Sequence, residues 1–300
     1  MIPRMPKMDQ MNPKTAMSLR LRNGRHLGYA EGGDPGGAPV LYFHGFPGSR
    51  LEATFFPVPG VRLIGIDRPG YGLSSPDRHR RLVDWADDIA EFADRMELPR
   101  FGVIGLSGGA PYGAMVAHAL GERVSALALV CGLGPPDAPG MTAGRLKLLG
   151  SVGQSRLARF GLSQLARRLI HSDRAMTRLK RVRDRIPRAG ADIDLMRGGL
   201  ESAMLANWRE GLSRSSLGIS TDARIYGEEW PFDPSVIAVP TTIWHGRADT
   251  IVPVSIGEFY AKAMPEAEVH FPENEGHFSV VVNGLEHIAA FLARHAEDTA

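Results

Sequence analysis

Hydrophobic and polar positions along the chain change period several times. Ser18-Leu19-Arg20-Leu21-Arg22 alternates polar and apolar, Asn23-Gly24 follows, and Arg25-His26-Leu27-Gly28-Tyr29 opens a second run. Alternation with period two predicts strands. Asn-Gly between them predicts a two-residue hairpin turn with φ > 0 at both positions. The residues EGGDPGGAP at 31–39 read as a loop. Beyond them alternation stops. Val40–Phe43, Val61–Ile66, Phe101–Ile104 and Val124–Val130 are short, nearly continuous apolar runs, and Thr241–Trp244 and Glu268–Phe271 follow late in the chain. Runs without alternation predict strands buried on both faces, hence a parallel sheet covered by helices. Leu82, Trp85, Ile89, Phe92 and Met96 recur at helical spacing. Further helices are predicted near 109–120, 256–263 and 285–295. The sum is a doubly wound, mostly parallel α/β sheet that starts with an antiparallel hairpin.

Between residues 133 and 235 this rhythm is lost. The stretch reads as helical and is too long for a plain connection. It is taken as an inserted helical cap, with 17–132 and 236–300 as the core and 1–16 as a flexible tail. The cap's apolar residues include Leu162, Leu165, Leu195, Met196, Leu200, Met204 and Leu205. Most are expected to pack its own helices and a minority to face a pocket. Residues 156–188 carry eleven Lys and Arg against Asp173 and Asp184. A solvated helix face is the reading preferred over an anion- or membrane-binding surface.

Composition narrows the function. The formal net charge of +2 over 300 residues gives no global field that argues for nucleic acid. The single cysteine, Cys131, lies in an apolar run, which excludes an internal disulfide and points to a buried core residue. No window is long and apolar enough to span a bilayer, and the first residues lack a signal-peptide pattern. A cytoplasmic location is the resulting expectation. No His, Asp or Glu set has ligand spacing such as H-E-x-x-H, so neither metal nor cofactor is expected.

Gly-Leu-Ser occurs four times, ending at Ser74, Ser107, Ser163 and Ser213. Only Gly105-Leu106-Ser107-Gly108-Gly109 completes G-x-S-x-G, and only it follows an apolar strand and opens a helix. A sharp strand-to-helix turn exposes the hydroxyl, and small neighbours leave room for it. Serine needs a base to take its proton, and the base needs a carboxylate to orient it. Asp249 and His277 each sit in a loop just after a late strand. In a parallel sheet such loops share an edge with Ser107.

With these motifs the chain resembles the α/β-hydrolase family, from Met17 to its end. The family's chain order implies Ser107 as nucleophile, Asp249 as acid and His277 as base. Asp137 is the alternative acid, in the loop after the sixth strand. His44-Gly45-Phe46-Pro47-Gly48 resembles the loop after the family's third strand, which implies an oxyanion hole from the N–H groups of Phe46 and Gly108. Asp67-Arg68-Pro69-Gly70-Tyr71-Gly72 resembles the loop after the fourth strand, with a structural role. His44 and His245 are read as structural.

Relatives that act on haloalkanes or epoxides carry Asp at the nucleophile position, and those epoxide hydrolases use two cap tyrosines. Here Ser107 stands there, and residues 133–235 contain only Tyr226. Acyl transfer is therefore expected: hydrolysis of a small or medium, largely apolar carboxylic ester. The alternatives are a perhydrolase, a carbon–carbon bond hydrolase or a lyase on the same triad, or a small-molecule receptor without turnover.

Overall fold

A computed structural model describes residues 13–55, 58–142, 144–184 and 189–297. Eight strands form one sheet: β1 (Met17–Arg20), β2 (His26–Gly33), β3 (Ala38–Phe43), β4 (Val61–Ile66), β5 (Phe101–Leu106), β6 (Val124–Val130), β7 (Thr241–Trp244) and β8 (Glu268–His270). Their order is β1-β2-β4-β3-β5-β6-β7-β8. β2 runs antiparallel to β1 and β4, and all pairs from β4 to β8 are parallel.

The unbroken apolar runs have the predicted cause. Leu41, Phe43, Val103, Leu127 and Leu129 join one buried cluster with Trp85, Ile89 and Phe92 of helix α1 (Asp84–Arg95), residues of α2 (Ala110–Ala119), and Ile256 and Tyr260 of α9 (Val254–Ala263). Val40, Tyr42, Ile104, Ala126, Ala128 and Val130 face the other way, onto Val280, Leu285, Ile288 and Leu292 of α10 (Ser279–Glu297). Strands β3, β5 and β6 thus feed two cores, one on each face of the sheet.

Three elements differ from the sequence reading. Arg20 pairs with His26, and the Leu21 N–H donates to the Arg25 carbonyl, so three residues close the hairpin. Only Gly24 takes a positive φ; the Asn23 side chain instead accepts from the Arg25 N–H at 3.0 Å. Glu31–Gly33 continue β2 instead of looping, pairing with β4 up to Gly33 and Arg62. The last helix begins at Ser279, six residues before the predicted start, although it opens on three valines. A carboxylate from another part of the chain, described below, receives its first N–H groups.

Among the described residues between β6 and β7 lie six α-helices: α3 (Gly144–Gln154), α4 (Arg156–Ile170), α5 (Asp173–Arg183), α6 (Gly190–Leu195), α7 (Glu201–Gly211) and α8 (Leu217–Ile225). A π-helical turn, Met196–Leu200, joins α6 to α7 with Gly199 at φ 109°. Of the expected tail, residues 1–12 lie outside the described residues. Pro13–Thr15 form a 3-10 turn, and the Thr15 carbonyl accepts from Arg50 Nε at 2.8 Å. Among the described residues no helix is long and apolar enough to cross a membrane.

Strand order places the site. The chain leaves β3 for β4 on one side, then crosses back to β5 on the other. Adjacent strands whose connections diverge open a crevice at their carboxyl ends, where ligands bind in open α/β sheets. The loop after β3 holds His44–Gly48, and the turn after β5 holds Ser107.

Candidate active site

Ser107 sits at φ 51°, in the left-handed region, on the turn between β5 and α2. A non-glycine residue there stores strain of roughly 1–3 kcal/mol. The turn can be this sharp because Gly109 lies against β3: a Cβ at that position would meet the Phe43 carbonyl oxygen at 2.1 Å. The other three Gly-Leu-Ser serines are bonded locally. Ser74 Oγ donates to the Asp67 carbonyl at 2.6 Å, Ser163 Oγ to Phe160 at 2.9 Å and Ser213 Oγ to Glu210 at 2.7 Å.

His277 and Asp249 meet. His277 Nδ1–H donates to Asp249 Oδ2 at 2.7 Å, since a carboxylate only accepts. That leaves Nε2 as the basic nitrogen. Asp249 is held in turn: its Oδ1 accepts from the Ile251 and Val252 N–H groups at 2.7 and 2.9 Å. Burial by itself would lower the His277 pKa, but the Asp249 carboxylate outweighs it and holds the imidazole above its ordinary value. Burial would raise Asp249; the His277 imidazole reverses this and holds it below the usual carboxylate range. Asp137 is exposed, and His277 takes Asp249 as its partner instead. Ser107 and His277 line one cavity of about 290 Å³.

Phe46 and Gly108 lie side by side: a Cβ on Gly108 would come 2.6 Å from Phe46 Cβ. Their N–H groups belong to planar peptide units pinned from behind. Arg68 Nη2 donates to the Gly45 carbonyl at 3.0 Å, so the Phe46 N–H of the same unit points the opposite way. The Leu133 N–H donates to the Ser107 carbonyl at 3.0 Å and orients the Gly108 N–H in the same manner. His44 is structural: Nδ1–H donates to the Gly45 carbonyl, and Nε2 accepts from the Arg68 N–H. Burial, reinforced by Arg68, pushes its pKa well down and keeps it neutral. His245 is structural too. Its Nε2–H donates to the Val252 carbonyl at 2.9 Å, and burial lowers its pKa.

Four acidic or amide side chains that sequence reasoning missed tie this apparatus to the inserted helices or to the cavity. Asp222 of α8 is fully buried and receives Arg68 Nε and Tyr71 Oη at 2.9 Å each, Tyr112 Oη at 2.6 Å, and Arg80. Burial would raise its pKa; Arg68 and Arg80 overcome this and drive it far below the carboxylate range. Tyr226, the lone tyrosine of 133–235, donates to the Gly108 carbonyl at 2.8 Å. Asp192 of α6 accepts from the N–H groups of His277, Phe278 and Ser279 at 3.0, 3.0 and 2.8 Å. It is the carboxylate that starts α10 early, an N-terminal cap donated from a distance. Asn207 of α7 accepts from Ser49 Oγ at 2.6 Å and donates to Glu52 Oε1 at 2.8 Å. Glu52 itself lines the cavity. No motif marks these residues, because each acts through contacts with residues far away in the sequence.

Cys131 is fully buried, as expected, and burial raises its thiol pKa well above the ordinary value. Its Sγ, Asp249 and His277 place ligand-capable atoms within 4.8 Å of one another. The His277–Asp249 bond and a thiol kept protonated account for that cluster without a metal.

The cavity wall is mostly apolar. Leu63, Leu106 and Leu285 come from the sheet and α10, while Met196, Leu200, Met204 and Trp208 come from the inserted helices. Leu195 is buried, whereas Leu162 and Leu165, expected inside the helical segment, are about half exposed.

Comparison with known families decides the assignment: the profile of the α/β hydrolase fold matches residues 38–284. The chain belongs to the α/β-hydrolase family. Among curated relatives of this hydrolase, the dihydrolipoyllysine-residue acetyltransferase component of an acetoin cleaving system from Pseudomonas putida is 26% identical over 290 residues. That match takes in 91% of this chain and 68% of that protein. A non-heme chloroperoxidase from Streptomyces lividans is 32% identical over 119 residues, 38% of this chain and 43% of that protein. That match thus spans less than half the length of that relative. In fold it is similar to an esterase from Exiguobacterium antarcticum, with a TM-score of 0.63 and 20% identity over 94% of this chain and 99% of that one.

Proposed function

We propose that the protein is a serine hydrolase that cleaves a small or medium, largely apolar carboxylic ester through an acyl-enzyme. The observation that carries this reading is the apolar cavity in which Ser107 and the Asp249-bonded His277 share a wall. His277 Nε2 takes the Ser107 proton as Oγ attacks the ester carbonyl. The Phe46 and Gly108 N–H groups receive the oxyanion, in a setting where water is largely excluded. Protonated His277 then returns its proton to the leaving alcohol. A water molecule, activated by the same nitrogen, releases the acid and restores Ser107.

Residues 133–235 act as a cap in this reading. They supply Met196, Leu200, Met204 and Trp208 as the outer wall, and so set the chain length accepted. A perhydrolase on the same triad is the second reading; the chloroperoxidase relative favours it.

The test combines fluorophosphonate labelling with turnover of p-nitrophenyl esters of increasing chain length. Labelling that disappears in Ser107→Ala, together with turnover that survives EDTA, is expected. Turnover far higher with peroxide than with water as acceptor moves the assignment to the perhydrolase. A labelled serine with no turnover of any ester refutes the hydrolase reading in favour of a receptor.

A further inference from the structure

One polar side chain on the cavity wall has no part in the ester mechanism. Glu52 lies on the 3-10 turn Arg50–Thr54, directly after the loop that carries Phe46. It is 7% exposed and lines the cavity together with Ser107 and His277. A Cβ on Gly45 would stand 3.7 Å from both Glu52 Oε1 and Ser107 Cβ, so a single glycine separates carboxyl and nucleophile. The same cavity is mostly apolar, with Ala53, Phe55, Leu63 and Leu285 among its lining residues beside Tyr42, Arg145 and Thr250.

A carboxyl in such surroundings is unfavourable unless bonded. Glu52 Oε2 accepts from the Gly45 N–H at 2.8 Å, and Oε1 accepts from Asn207 Nδ2 at 2.8 Å. A carboxylate offers about four acceptor positions, which leaves roughly two. Among the described residues Glu52 has no ion-pair partner within 4.0 Å. Binding cavities commonly combine apolar walls with a few polar groups that fix the ligand's orientation. An anchor that served the fold alone would have no need to open onto the cavity beside the nucleophile.

We propose that Glu52 is a specificity-determining residue: it receives a hydrogen-bond-donating hydroxyl or ammonium on the acyl part of the ester, a few atoms from the scissile carbonyl. This rests on the ester-hydrolase reading above. Burial raises the Glu52 carboxyl to about 7 against the pull of the Gly45 N–H and Asn207, so its ionised form is available at and above neutrality. A site built to bond a substrate group penalises the analogue that lacks it, because the protein group is then left unpaired. Glu52 keeps two partners of its own, so the penalty is expected to be moderate.

The experiment compares kcat/KM for p-nitrophenyl butanoate, 3-hydroxybutanoate and 3-aminobutanoate at pH 8, with both enantiomers of the substituted esters. Wild type is expected to prefer at least one substituted ester by about tenfold or more. In Glu52→Leu that ratio falls to near one. In Glu52→Gln preference for the amine is lost, while preference for the hydroxyl survives in part; this separates the two donors. Turnover of the butanoate without preference overturns this proposal alone, and the wild-type comparison decides that without any variant. A preference that persists in Glu52→Leu overturns it as well. Absence of turnover with every ester, the butanoate included, overturns the ester reading and this proposal with it.

Discussion

Strands β3 to β7 are buried along almost their whole length, whereas helices α3, α4 and α5 leave Leu148, Leu157, Phe160 and Leu179 exposed, with Leu157 at 85%. The basic residues of α4 and α5 share that outer surface: Arg156, Arg168, Arg174 and Arg178 are exposed, and Arg185 and Arg188 lie outside the described residues. The sheet side is held by two continuous apolar cores. The inserted side joins one of these cores through Ile225 and Tyr226, adds a small apolar cluster around Phe55, Leu195 and Leu200, and bonds the sheet side through Asp192, Asn207 and Asp222. The difference teaches a division of labour. The sheet sets where Ser107, Asp249 and His277 stand, and residues 133–235 supply part of the cavity wall and bond the adjoining loops through a few buried polar side chains. Each prediction below probes one side of that division.

The largest effect belongs to the sheet. Ser107→Ala should lower ester kcat/KM by about 10⁴-fold or more, with an unchanged circular dichroism spectrum. Retention of a tenth of the activity would remove Ser107 from the reaction. Asp249→Asn should cost kcat roughly 10³- to 10⁴-fold by favouring the wrong His277 tautomer, and Asp137→Asn should cost little. The reverse ranking would transfer the acid to Asp137.

On the inserted side, Asp222→Ala leaves Arg68 and Arg80 buried without their carboxylate. A loss of about 3–5 kcal/mol in denaturant unfolding is expected. A loss under about 1 kcal/mol would mean that the two sides are not joined there.

Glu52 gives a pH test. Its folded-state value of about 7 lies above the ordinary 4.5. Between those values the folded protein binds more protons than the unfolded chain, so stability falls as pH rises through that window. Glu52→Gln removes the loss. Its stability relative to wild type should therefore grow by up to about 3 kcal/mol between pH 4 and pH 8. A difference that does not change with pH would contradict the buried, proton-exchanging carboxyl.

The smallest effect is expected from Asp192→Ala. His277 keeps Asp249 but loses the acceptor that holds its backbone, and kcat should fall about tenfold. Activity requires neutral His277, so it declines as pH falls through a value above the ordinary 6.5. Asp192 helps to raise that value, and its removal should move the acid limb to lower pH. A limb that stays in place while kcat falls would assign Asp192 to backbone support alone.

The sequence by itself determined the sheet, the turn that carries Ser107 and the loops that carry Asp249 and His277. The physical reason is local. A strand buried on both faces must be apolar throughout, and a strained strand-to-helix turn needs small neighbours around Ser107. Local signals also had limits, as at Asn23, where a side-chain bond to Arg25 replaced the expected positive φ. Tertiary structure decided what local pattern cannot encode: that His277 meets Asp249, that α10 starts beside His277, and that Glu52 opens onto the cavity. The contacts of Asp192 with His277, Asn207 with Glu52 and Asp222 with Arg68 join residues 85, 155 and 154 positions apart. A buried carboxylate or amide is tolerated only where its partners converge, and that convergence exists only once the chain has folded.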